Sequence, residues 1–157
     1  MRNLEESMST EQSNFDELDS SFFLLGLLSA FDNRYQAKAD NFFDEISWKQ
    51  FFAICCINLC EEPPAIKELA QIMGSSHQNV KQILNKLEIK GYVQTISDQN
   101  DKRIQRIIVT EKTKAFLKEQ DEGSQKVVGK IFEGISPEDI ATTISTILKM
   151  EKNLEEV

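Results

Sequence analysis

A mainly α fold with one small β-hairpin is what this sequence predicts, on three observations. The 157 residues include only six glycines and three prolines, and apolar side chains recur at helical spacing over most of the length. Within residues 64–110, two short helical patterns meet at a tight turn containing Gly74. Two strand-like runs joined by a basic loop follow them. Two helices joined by a short glycine-containing turn make a helix-turn-helix, and a strand pair behind them supplies a wing. The expectation is a winged helix-turn-helix with N- and C-terminal dimerisation helices.

Residues 1–13 are polar and without periodicity, which predicts a disordered N-terminus. Asn14 or Asp16 can start a long helix through Phe15, Leu18, Phe22, Phe23, Leu25, Leu27, Leu28, Phe31 and Tyr35. Over residues 22–31 that helix is apolar on more than one side, too much for covering a single small core. A second chain is the simplest cover for the extra face. Ser47 and Gln50 have capping-box spacing for a helix with Trp48, Phe51, Phe52, Cys55 and Leu59, ended by Glu61, Glu62, Pro63 and Pro64. The next helix carries Ile66, Leu69, Ala70 and Met73 and stops at Gly74. Ser75 or Ser76 then caps a helix whose Val80, Ile83, Leu84 and Leu87 form one apolar face before Gly91. After the strand pair, 111–133 reads as a helix with Phe116, Leu117, Val127, Val128, Ile131 and Phe132. The run Ser136, Pro137, Glu138, Asp139 places a cap, a first-turn proline and two acids at the start of a last helix. That helix carries Ile140, Ile144, Ile147, Leu148 and Leu154. The division expected is 14–46 and 111–157 for dimerisation and 47–110 for the winged helix-turn-helix.

The net charge of −8 argues against a nucleic-acid partner only when taken whole. Residues 63–118 carry +5 and the flanks −13. Phosphate neutralisation needs positive charge only where the nucleic-acid backbone lies, and an acidic remainder helps orient the molecule. The longest apolar run is about half what a bilayer crossing requires, and it follows an acidic segment without a basic leader region. Three cysteines within six positions make no disulfide framework. These features predict a cytoplasmic chain that does not engage a membrane.

The segment ELAQIMG, then SHQNVKQILNKLEIKGYV, then DQNDKRIQRIIVTEKTKAFL with its Asp101-Lys102-Arg103 signature, resembles the MarR family of bacterial winged-helix transcription regulators. Long helical segments before and after extend the resemblance to nearly the whole chain. It departs at Thr113, where the family usually has glycine, at the junction between wing and following helix. The resemblance implies a homodimer with intertwined terminal helices, a double-stranded DNA partner with an inverted-repeat operator, and a ligand-responsive repressor. An alternative from the same fold is a winged-helix interaction module whose basic block serves an acidic protein.

On a helical wheel, Gln78, Gln82 and Asn85 lie opposite the apolar face of the reading helix, with Lys81 and Lys86 on its shoulders. Amides can bond adenine bidentately, while lysine holds phosphate or guanine. The candidate DNA-contacting set is Ser76, Gln78, Asn79, Lys81, Gln82, Asn85 and Lys86, with Lys102, Arg103 and Arg106 from the wing. A solvated helix face would carry the same residue types. His77 sits near the edge of the apolar face, where capping or packing is expected. Arg103 matches the family arginine that enters the minor groove, and Asp101 resembles the aspartate that holds it.

Residues 31–52 hold seven of the thirteen aromatics, most of them expected in a core. The resemblance also places an effector cleft beside this segment, with Phe31, Arg34, Tyr35, Trp48 and Phe52 as candidate lining for a small aromatic ligand. Cys56 and Cys60 are four apart on one helix, a spacing that can share a metal. The only histidine lies far away in sequence, and buried cysteine acts as a small hydrophobe, so core packing is the expectation and no metal is assigned. Peroxide-sensing relatives carry their reactive cysteine near the start of the first helix, where this chain has none. No nucleophile elbow, phosphate-binding glycine loop or acid–histidine pair stands in the sequence, which predicts a non-enzyme without cofactor.

Overall fold

The computed structural model describes residues 20–157, and the expectations for residues 1–13 and for a helix start at Asn14 or Asp16 lie outside it. Two compact units divide at Thr113 and Lys114. The described part of the first unit contains α1 (Ser20–Ala39), α2 (Trp48–Leu59), α3 (Ile66–Ile72), α4 (His77–Ile89), β1 (Val93–Ser97) and β2 (Gln105–Val109). Helix α5 (Glu111–Ile131) begins at its end and continues into the second unit, which also holds α6 (Pro137–Leu154).

The caps that start these helices are those the sequence offers. At α2 the Ser47 hydroxyl accepts the Gln50 N–H and the Gln50 side chain accepts the Ser47 N–H, a complete capping box. At α3 only half a box exists: Glu68 accepts the Ala65 N–H at 2.7 Å, and alanine has no acceptor to return. Ser76 rather than Ser75 caps α4, accepting the Asn79 N–H at 3.2 Å. Ser136 caps α6 in the same way, with Pro137 in the first turn. The α3–α4 turn closes through Gly74 at φ +57°, a conformation a Cβ disfavours.

The core of the first unit is one apolar cluster. Leu69, Val80, Leu84, Leu87, Ile54, Tyr92 and Ile107 are buried from five different elements or their junctions, and each such side chain contributes roughly 1.5–3 kcal/mol. Its boundary is wider than 47–110. Ala39 at the end of α1 and Phe43 and Ile46 in the following loop are buried, with Phe43 stacked on Phe51 at 4.5 Å. Glu45 in that loop accepts the Tyr92 hydroxyl at 2.7 Å and the Lys112 ammonium at 3.1 Å. The Lys112 ammonium also lies 4.3 Å over the Tyr92 ring. Helix α1 and the loop after it are therefore integral to this unit.

The wing is an antiparallel pair with Val93 opposite Val109, Thr95 opposite Ile107 and Ser97 opposite Gln105. A lone two-stranded hairpin is marginal in water. This one is anchored by buried Val93 and Ile107, and by the Ile107 N–H donating to the Pro64 carbonyl at 3.0 Å beside an isolated bridge from Ala65 to Arg106. Thr113, in place of glycine, fits without disturbing the helix start. Its side chain is fully buried and its hydroxyl donates to the Tyr92 carbonyl, so the added polar atom is satisfied.

Candidate nucleic-acid interface

Helix α4 separates its two faces cleanly. Val80, Ile83, Leu84 and Leu87 point into the core, while Gln78, Lys81, Gln82, Asn85 and Lys86 are exposed. Among the described residues, none of these five side chains makes a hydrogen bond or ion pair within the chain. The cap explains why Ser76 and Asn79 differ from them: the Ser76 hydroxyl is committed to the helix start, and the Asn79 amide donates to the Ser75 hydroxyl at 2.9 Å. The free row offers amide and ammonium donors and amide acceptors along one side of a rigid cylinder, the chemistry that reads base edges and phosphates. His77, for which capping or packing is the expectation, is exposed in the first turn of α4. It borders a cavity of about 410 Å³ shared with Ile66 and Glu68 of α3 and with Arg103 and Ile104 of the wing.

The wing presents its basic residues in two different ways. The Arg103 guanidinium is 90% exposed, yet held by Asp101 through Nε at 3.0 Å and Nη2 at 2.8 Å. Asp101 also accepts the Arg103 backbone N–H at 3.0 Å. The Arg103 side-chain bond, then the backbone bond, holds the Asp101 carboxyl below its ordinary range. So exposed an ion pair adds little to stability; its effect is to fix where the guanidinium points. Lys102 beside it is exposed.

Arg106, the third basic candidate of the wing, is engaged within the protein. Only 24% of its side chain is exposed, and its guanidinium turns back onto the protein. Nε donates to Asp98 at 2.6 Å, and Nη1 donates to the Pro63 carbonyl at 2.9 Å and to Glu68 at 3.3 Å. With three acceptors already satisfied, Arg106 braces the wing base. Asp98 in turn accepts the Asn100 and Asp101 backbone N–H groups at 2.7 and 3.0 Å. The Asp101 amide first, then Arg106 and the Asn100 amide, hold the Asp98 carboxyl down to about 2. The roles of Glu68 and Asp98 were not assigned from sequence, although hairpin register alone puts Asp98 near Arg106.

A second cavity of about 360 Å³ opens within the same unit. Tyr35 of α1 and Trp48 and Phe52 of α2, three of the candidate effector-lining residues, border it. The Tyr35 ring meets Trp48 edge-on at 4.8 Å, and Trp48 stacks with Phe52 at 6.2 Å. Phe31 and Arg34 are not in the lining. Phe31 instead stacks on Tyr35 one turn earlier, with centroids 6.1 Å apart, and Arg34 is exposed. Asp32 and Gln36, joined by a 2.5 Å hydrogen bond, and Lys49 supply polar groups where the Arg34 guanidinium had been expected. Adjacent helical residues diverge by about 100°, so Asp32 and Gln36 share a side of α1 that Arg34 does not. Ser75 and Asn79 complete the lining, which brings the cavity to the first turn of α4.

The cysteines behave as apolar packing. Cys56 is buried, Cys55 and Cys60 are half-buried, and the Cys60 thiol donates to the Cys56 carbonyl at 3.3 Å. Burial, ahead of the neighbouring Cys55 and Cys60, pushes the Cys56 thiol up to about 11. Among the described residues no group of three or more His, Cys, Asp or Glu side chains is placed to hold a metal ion, and no helix is long and apolar enough to cross a membrane.

Comparison with known proteins agrees with this architecture. A sequence model of the MarR family matches residues 58–104, from the end of α2 through the wing loop. The fold is similar to that of a MarR/EmrR family transcriptional regulator from Acinetobacter sp. ADP1, at 14% identity and a TM-score of 0.79, covering 89% of this chain and 100% of that one. It is similar to Streptococcus pneumoniae FabT, solved in complex with DNA, at 24% identity and a TM-score of 0.61, over 88% of this chain and 99% of that one. Bordetella bronchiseptica BpsR, whose DNA binding is regulated by 6-hydroxynicotinic acid, matches at 16% identity and a TM-score of 0.69, over 80% of this chain and 91% of that one. At these identities the structural likeness speaks for the fold, and the family match speaks for the reading segment. Residues 58–104 thus match the MarR family of transcriptional regulators in sequence, and the chain around them has a fold similar to that of solved MarR-type regulators.

Proposed function

We propose that this protein is a sequence-specific, double-stranded DNA-binding regulator that acts as a homodimer on an inverted-repeat operator and represses until a small ligand releases it. The observation that carries the reading is the pairing of an unpaired polar row on α4 with an exposed, pre-aimed Arg103 on the wing. Gln78, Lys81 and Gln82 in the first turns take the bases, Asn85 and Lys86 the neighbouring backbone, and Lys102 and Arg103 the adjacent minor groove. Ser76 and Asn79 contribute by presenting that first turn, and Arg106 leaves the contacting set. That FabT was solved with DNA supports the same use of the fold here.

A second copy is the proposed partner of the helices outside the matched segment. Phe22 is 70% exposed on α1 and Leu148 59% exposed on α6, with Phe31, Ile144 and Leu154 also exposed. Apolar surface of this extent is a liability unless covered. The aromatic cavity is the proposed effector site, and an aromatic acid on BpsR supports that chemistry. Lys49 would meet a carboxylate while Tyr35, Trp48 and Phe52 take the ring. Release requires only that the ligand prefer a form in which α4 is displaced from its DNA-bound position.

The test is binding to duplex genomic fragments by fluorescence anisotropy at two salt concentrations, followed by a panel of small aromatic acids. Saturable, salt-weakened binding to a subset of fragments is expected, reversed by a ligand over the same range in which it quenches Trp48. Equal, weak binding to every fragment would overturn the specific-regulator reading.

A further inference from the structure

Five hydrogen-bonded steps run from the helix-turn-helix to the wing tip. The Pro63 carbonyl and Glu68 hold one end of Arg106. Its Nε holds Asp98, which is 13% exposed at its side chain and cannot swing freely. Asp98 gathers the backbone N–H groups of Asn100 and Asp101, which sets the bend of the wing loop. Asp101 then fixes the Arg103 guanidinium with two side-chain bonds. Glu68 is itself pinned, because the same Oε2 that meets Arg106 accepts the Ala65 N–H at the start of α3. Every link is a directional bond to a charged group, the strongest kind available at a surface. Loop backbones have no such rigidity by themselves, and a displacement of about an ångström at a site of this kind costs most of its effect.

We propose that Arg106 is a positioning residue for recognition: it ties the wing loop to α3 through Asp98 and Glu68 and so aims Arg103, without touching DNA itself. This rests on the DNA-binding reading above and adds to it a division within the wing. Arg103 contacts; Arg106 and Asp98 determine where that contact falls. Sequence preference at the base pairs flanking the α4 footprint therefore depends on Arg106 as strongly as on Arg103. Lysine at 106 keeps one charge but not the simultaneous reach to three acceptors, so it restores only part of the effect.

The experiment selects preferred sequences for the full-length protein from a random duplex pool, and compares Arg103→Ala, Arg106→Gln, Arg106→Lys, Asp98→Asn and the Arg103→Ala/Arg106→Gln double variant, each with a melting temperature. Arg106→Gln is expected to lower affinity for the selected sequence about tenfold, within the range of a lost specific contact. It should erase preference at the same flanking positions as Arg103→Ala, while central preference survives. In the Arg103→Ala background it should add less than about twofold, the non-additivity of residues acting through one another. Asp98→Asn should copy Arg106→Gln, and Arg106→Lys should fall between it and the unaltered protein. Additive losses, with the salt slope reduced by about one, would make Arg106 a phosphate contact and overturn the proposal. Unchanged flanking preference in Arg106→Gln, or equal loss at central and flanking positions with a lowered melting temperature, would overturn it too. If the unaltered protein enriches no sequence, the DNA-binding reading fails instead, a result distinct from all of these.

Discussion

Helix α4 and the wing face the same side of their task with opposite physics. The helix gets its shape from apolar packing of Val80, Leu84 and Leu87, and its outward side chains are left free. The wing has little core beyond Val93 and Ile107, and its loop is shaped by charge: Asp98 on two amides and Arg106, Asp101 on Arg103. The free side chains of α4 must each be ordered on binding, at a cost of about 0.5–1.5 kcal/mol for each long one. Arg103 is oriented beforehand. A helix can present adaptable groups because its backbone is already rigid, whereas a loop must be locked before it can present even one.

Helix α4 depends most on the apolar packing beneath it. Leu87→Ala removes a fully buried side chain and should lower unfolding free energy by about 2–5 kcal/mol in a denaturant titration. DNA affinity should then fall for all sequences in proportion to the unfolded fraction. A loss of sequence preference with stability intact would mean that α4 does not depend on this packing.

The wing should respond in the opposite sense. Arg103→Ala removes an exposed tip, so the melting temperature should stay within a degree or two while operator affinity drops about tenfold or more. Asp101→Ala should give a smaller loss of the same kind, because it frees the guanidinium without removing it. Parallel losses of stability and binding would make the wing a structural element.

Within α4, Gln82→Ala should cost about 1–3 kcal/mol at one or two base positions and leave others unchanged. Lys86→Ala should weaken all sequences alike and make the salt slope shallower by about one. A Gln82→Ala protein with unaltered base preference would show that the helix docks in another rotation.

The smallest effect is acid sensitivity of the wing. Asp98 is held at about 2 against an ordinary 3.8. A depressed carboxyl contributes fully above its unfolded value and loses that contribution as pH falls toward the folded one. The amide resonances of Asn100 and Asp101 should therefore hold from neutral pH down to about 3 and shift with a midpoint near 2. Titration of both amides centred near the ordinary carboxyl value would mean that Asp98 is not engaged. Asp98→Asn should abolish the transition.

The parts of this molecule that were legible from sequence are those fixed by neighbours in the chain. The caps at Ser47, Ser76 and Ser136, the glycine turn at Gly74 and the apolar face of α4 all follow from spacing of three to four residues. The bidentate hold of Asp101 on Arg103 lies two residues apart and came with the family signature. What stayed hidden depends on contacts across the fold. Arg106 reads as one more wing cation until Pro63 and Glu68, about forty positions away, arrive beside it. Arg34 reads as pocket lining until the rotation of α1 presents Asp32 and Gln36 instead. Thr113 reads as a departure until its hydroxyl finds the Tyr92 carbonyl.

Selection from a random duplex pool, read together with the mass of the protein–DNA complex, decides whether the protein reads DNA as a two-fold dimer. A dimer whose two α4 helices each enter a major groove should enrich an inverted repeat with half-sites about 10 bp apart. The complex should contain two chains per duplex, and binding should weaken steeply between low and physiological salt. A monomer on DNA, or enrichment of no sequence at any salt concentration, would contradict the account.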